Sequence, residues 1–124
     1  MNTETNYVIT YKGNAIPMFS DERADYVSLT HIANAHNRSR KSVHSWLKTN
    51  STLAFLDAWE KKHNANYDAT QLRRAYEIGR QRNGLSVKEW SELTGAVGIF
   101  SRADGTYAHK DIAIRFAAWI NPEI

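Results

Sequence analysis

"AVGIFSRADGTYAHKDIAIRFAAWI", residues 96–120, changes its hydrophobic period part-way, and that change decides the fold class. Up to His109 the residues alternate around Asp104-Gly105, a dipeptide favoured in tight type I′ turns, so the first half predicts a β-hairpin. From Lys110 the spacing is helical, and Ile112, Phe116, Trp119 and Ile120 fall on one side, which predicts a helix with that side inward. A hairpin running straight into a helix, in a chain too short for two ordinary cores, points to one α+β domain over residues 1–124.

Working outward, "YVITY" (residues 7–11) and "AIPMF" (15–19) flank Lys12-Gly13-Asn14. Gly13 and Asn14 tolerate positive φ, so residues 1–25 are predicted to hold a hairpin followed by the polar turn "SDERAD". "YVSL" (26–29) reads as a short strand ending at Thr30, whose hydroxyl is predicted to cap the helix "HIANAHN" (31–37). Ser39 offers a cap for a second helix over 39–48, and a third is predicted over 52–63 with Phe55, Leu56 and Trp59 as its apolar stripe. A helix over 69–83 has Leu72, Ala75, Tyr76 and Gly79 inside and stops at Asn83-Gly84; Ser86 then caps a short helix that ends at Gly95. "NPEI" (121–124) has the signature of a helix start, so the chain is expected to be a domain of a longer protein.

The 124 residues contain no cysteine, which excludes disulfides, thiolate metal sites and a cysteine nucleophile. There is no signal-peptide pattern and no apolar run near the ~20 residues of a membrane span, so a soluble protein of the cytoplasm or nucleoid, with no membrane partner, is expected. The net charge of +3 is unevenly spread. Between Asp25 and Asp57 there is no carboxylate, while Arg38, Arg40, Lys41 and Lys48 lie in that gap with three histidines.

"RSRKSVHSWLK" (38–48) carries those cations. On a helix, Val43, Trp46 and Leu47 fall on one side, and Arg40, Lys41, His44, Ser45 and Lys48 on the opposite arc. One face packs and the other is cationic. Two short helices joined by a few residues, the second cationic, have helix-turn-helix proportions. From the residues alone, a solvated face and a DNA-contacting face stay equally open.

"YVSLTHIA", "WLKTNSTLAFLDAWE" and "DGTYAHKDIAIRFAAWINPE" resemble the KilA-N domain, a family of phages, bacteria and large DNA viruses related to the fungal APSES DNA-binding domain. The resemblance runs from Tyr26 to the last residue. It implies a small winged helix-turn-helix-like domain, with a hairpin wing after the helices, and it implies binding to double-stranded DNA. This chain departs from the family in the compressed loop "SRADG" before "GTYAH". With the resemblance, DNA contact by Arg38, Arg40, Lys41, His44, Ser45 and Lys48 is the preferred reading. Ser101 and Arg102 near the hairpin tip are either a wing on the DNA backbone or an exposed hairpin with an incidental arginine. Thr106 and Tyr107 are read as support for the hairpin. Lys110, at a helix start where a cation opposes the dipole, is read as serving something outside.

No catalytic constellation or cofactor motif is visible. His31 and His36 are five apart, no H-x-x-x-H pair exists, and Asp21, Glu22 and Asp25 read better as a polar turn than as a nuclease's magnesium ligands. The tryptophans are read as core in preference to base-stacking platforms. Arg73, Arg74, Arg80 and Arg82, interrupted by Glu77 and spread over two faces, either extend the DNA footprint or face solvent, and solvent is the preferred reading. The alternative function is a protein-interaction module that binds a repressor or host factor, as in phage antirepressors, through the aromatic surface; separately, a protein partner is expected through a region beyond Ile124.

Overall fold

The computed structural model describes residues 4–39, 41–82 and 84–120. Strands β1 (Thr5–Tyr11) and β2 (Asn14–Ser20) form the N-terminal hairpin. Its turn sits one residue earlier than predicted. Lys12 (φ 51°) and Gly13 (φ 77°) take the positive angles, while Asn14 opens β2 and donates its side-chain amide to the Lys12 carbonyl at 2.9 Å. Strand β3 (Asp25–Ser28) leads into α1 (Leu29–Ala35). Here the cap is Ser28, whose Oγ accepts from the His31 N–H at 3.2 Å; Thr30, predicted for that role, is used elsewhere.

Helices α2 (Lys41–Leu47) and α3 (Asn50–His63) follow, then a 3₁₀ turn at Ala69–Gln71 and α4 (Leu72–Arg82). Helix α5 (Val87–Thr94) is capped by Ser86 and ends at Gly95, both as predicted; the structure adds that the cap is a reciprocal Ser86–Glu89 capping box and that Gly95 takes the left-handed region. The chain closes with β4 (Ile99–Arg102), β5 (Gly105–His109) and α6 (Lys110–Ile120). Arg40, the predicted stop at Asn83 and the "NPEI" segment lie outside the described residues.

The five strands form one antiparallel sheet in the order β1-β2-β3-β5-β4. Arg102 pairs with Gly105, so the second hairpin turns at Ala103-Asp104, not Asp104-Gly105. Among the described residues Lys12 and Asn37 are the non-glycines with positive φ, so this turn is not type I′. The positive angle falls on Gly105 (φ 142°), where a Cβ would stand 2.7 Å from the Thr30 hydroxyl oxygen.

Alternation along the strands divides the apolar residues between two faces. Ile16, Val27, Ile99 and Ala108 face the main core, with Leu29 and Ile32 of α1, Val43, Trp46 and Leu47 of α2, Leu53 and Leu56 of α3, Trp90 of α5, and Ile112 and Phe116 of α6. The other face carries a small aromatic cluster of Phe19, Tyr26 and Tyr107, with Phe100 against it. Two predicted inner faces are rotated. The buried stripe of α6 is Ile112, Ala113, Phe116 and Ile120, and packing through the small Ala113 turns Trp119 out to 43% exposure. In α3 the stripe runs through Leu53, Leu56, Asp57 and Glu60, which leaves Phe55 and Trp59 half-buried at its edge.

Candidate nucleic-acid interface

Helix α2 is placed by its apolar side. Val43, Trp46 and Leu47 are buried, and the Trp46 ring meets Phe116 of α6 edge-on at 5.2 Å. The turn before it is built from α1: Asn37 takes φ 59°, a conformation asparagine tolerates, and the Arg38 N–H returns to the Ala33 carbonyl at 2.8 Å. Ser39 caps as predicted, its Oγ accepting from the Lys41 N–H at 3.2 Å. Tyr11 on β1 holds the turn through its hydroxyl, 2.7 Å from His36 Nε2. Burial, with Lys12 and Arg38 nearby, holds the His36 pKa below its usual value.

The opposite arc is exposed. Arg38, Lys41, His44, Ser45 and Lys48 all lie at the surface. Arg38, Lys41 and Lys48 have no ion-pair partner among the described residues, whereas Arg23, Lys61, Arg74, Arg82 and Arg102 each have a carboxylate. Arg38, Lys41 and Ser45 line a concavity between α2 and the end of α6, which is walled by Trp119 and Ile120. Lys48 lines a second groove with Asn50, Tyr76, Gly79 and Arg80. His44 leans away from both, its ring over Gly84, where φ is 139° and a Cβ would collide with it.

Residues 9–124 match the family model of the KilA-N domain. The chain belongs to the KilA-N domain family. KilA-N domains are in general DNA-binding domains. No curated protein and no solved structure matches the chain. The match begins inside β1, so it takes in most of the N-terminal hairpin as well as the region from Tyr26 onward.

The second hairpin of this KilA-N domain is fixed from both sides. The Thr30 hydroxyl accepts the Thr106 N–H at 3.0 Å, and the buried Glu60 carboxylate accepts the N–H groups of Val97 at 3.1 Å and Gly98 at 2.7 Å. Near the tip Ser101 is exposed opposite Thr106. The Arg102 guanidinium lies 4.1 Å from the centre of the Phe19 ring and 3.1 Å from Glu4. Tyr107 is buried, its hydroxyl donating to Asp104 at 2.8 Å, and burial followed by that bond pushes its pKa up to about 12. Lys110 is exposed and, after a hydrogen bond from Ser20, helps hold the Asp25 carboxyl below its usual range. Ser101, Arg102 and Lys110 line neither groove beside α2.

Asp21 caps its own turn by accepting from the Arg23 and Ala24 N–H groups, as a polar turn requires. Trp119 departs from its expected place beside the KilA-N helices, and the neighbour that Arg80 meets in its groove is not readable from the sequence. Trp119 is assigned to the core by its period, and Arg80, 32 positions after Lys48, shares a groove with it only through the fold.

Proposed function

We propose that this domain binds double-stranded DNA, with α2 entering the major groove and Arg38, Arg40, Lys41 and Lys48 contacting phosphates. One observation carries the reading. The exposed arc of α2 gathers Arg38, Lys41 and Lys48, which no carboxylate of the described residues neutralises, on a stretch between Asp25 and Asp57 that holds no acidic residue, whereas the unpaired cations of other helices lie among acids. A solvated face gains nothing from that segregation, whereas a polyanion releases its counterions on meeting it. Ser45 and His44 add hydroxyl and imidazole donors on the same helix, and the second hairpin serves as a wing through Ser101, with Lys110 behind it and with Arg102 once it leaves Glu4 for a phosphate. The reading fits a regulatory protein of phage or viral type acting in the cytoplasm or nucleoid, with no catalysis and no cofactor.

The test is a mobility shift on a random-sequence duplex at two salt concentrations. Four phosphate contacts give a slope of log K against log salt of about −3.6, so affinity should fall roughly 100-fold between 50 and 200 mM. Binding that ignores salt, or no binding, rejects the reading. A protein-interaction module is the second reading, favoured by the groove between α3 and α6, where Phe55, Trp59 and Ile114 line the surface and Ile114 is 69% exposed. It expects salt-insensitive affinity for a protein and none for duplex.

A further inference from the structure

We propose that the groove between the α2–α3 corner and α4 holds a further stretch of the DNA backbone, with Lys48 and Arg80 on its phosphates and Gly79 leaving room for their approach. The inference rests on the DNA-binding reading and carries its footprint from α2 onto α4.

Lys48 and Arg80 come from segments far apart in the chain, yet they line one groove with Asn50, Leu53, Tyr76 and Gly79. Neither has an ion-pair partner among the described residues; of the other arginines of the same helix, Arg74 and Arg82 are paired with Glu77 and Glu89, and Arg73, exposed and likewise without an ion-pair partner among the described residues, lies outside the groove. The arginines of α4 therefore do not form one solvated set. Arg80 is the one that meets a second cation in a concave site, an arrangement that repels itself until an anion enters. Tyr76 and Asn50 add a hydroxyl and an amide to the lining.

Gly79 is the independent observation. Glycine is among the weakest helix formers, and it is justified where φ must be positive or where neighbours crowd the Cβ position. Gly79 meets neither condition: it lies within α4, is absent from the positive-φ glycines, and a Cβ there would have no atom within 4 Å. Among the described residues nothing needs a glycine at this point of the groove. Close approach of an external group to the helix backbone does.

The experiment measures melting temperature and the salt dependence of affinity for a labelled random 20-base-pair duplex, in the parent and in Arg80→Ala, Gly79→Ala and Arg74→Ala. Arg80→Ala should melt like the parent and lower the salt slope by about 0.9, whereas Arg74→Ala should leave the slope unchanged. Gly79→Ala should melt higher, because alanine favours the helix, yet bind severalfold more weakly, because its methyl fills the approach. If the parent binds with its salt slope while Arg80→Ala and Gly79→Ala bind as it does, the groove is not a phosphate site and the reading of α2 stands. If the parent does not bind duplex, both fall.

Discussion

The Thr30 hydroxyl accepts a hydrogen bond from the backbone N–H of Thr106 at 3.0 Å, joining residues 76 positions apart. Gly105 lies beside the bond at φ 142°, with no room for a Cβ. The start of α1 and the second hairpin are therefore one rigid piece, and α2 is mounted on it through the turn at Asn37. Thr30→Val, which keeps the shape and deletes the acceptor, should cost about 1–3 kcal/mol. Gly105→Ala, which adds strain and a collision, should cost more. Urea denaturation checks both, and a Gly105→Ala protein as stable as its parent would contradict the docking.

Glu60 has a similar role from the other side. Its carboxylate is fully buried and takes hydrogen bonds from Val97, Gly98 and the Asn64 side chain, with no ion pair among the described residues. Glu60→Gln should lose about 1–3 kcal/mol, because bonds to a charged acceptor are replaced by weaker ones. Glu60→Ala leaves two backbone donors unpaired and should lose more. Equal or greater stability of Glu60→Gln would mean that burying the charge outweighs its hydrogen bonds.

Stability should also fall on mild acidification. Burial holds the His109 pKa below its usual 6.5, aided by His63 and Lys110 and opposed by Asp111 and Asp25; the His36 pKa is likewise held down, chiefly by burial. For a depressed histidine the neutral form is the one the fold favours. Its contribution is complete above pH 6.5 and is lost as pH falls towards the folded-state pKa, since the unfolded chain takes the proton first. The melting temperature should drop between pH 7.5 and 5.5, and the drop should shrink in His36→Gln/His109→Gln. An equal drop in that variant would assign it to other groups.

Much of this fold is legible locally. The Ser86 cap, the two hairpins and the packed side of α2 each follow from neighbouring residues. What is not legible depends on distant partners. Thr30 and Ser28 are equally good caps by type, and only the approach of Thr106 decides between them. A buried role for Glu60 becomes visible only when the fold brings Val97 and Gly98 to supply its donors. Trp119 reads as core because period alone does not say that Ala113 sets the depth of α6. Of the site, the cationic arc is visible as a gap in the acids, whereas Arg80 joins it only through the folded chain.

Packing and charge on α2 should separate. Trp46→Ala empties a buried site against Phe116 and should cost about 3–5 kcal/mol, much of the stability of a domain this size. Circular dichroism should find it largely unfolded at temperatures where an Arg38→Ala/Lys41→Ala variant is intact, since substitutions on an exposed arc stay within about 0.5 kcal/mol. A Trp46→Ala protein that melts like its parent would mean that α2 is not docked by this face.

The salt dependence of duplex affinity in that same Arg38→Ala/Lys41→Ala variant bears most directly on DNA binding by α2. Two lost phosphate contacts should lower the magnitude of the slope of log K against log salt by about 1.8, with the melting temperature unchanged. A folded variant that binds duplex with the parent's slope would show that the unpaired cations of α2 face only water.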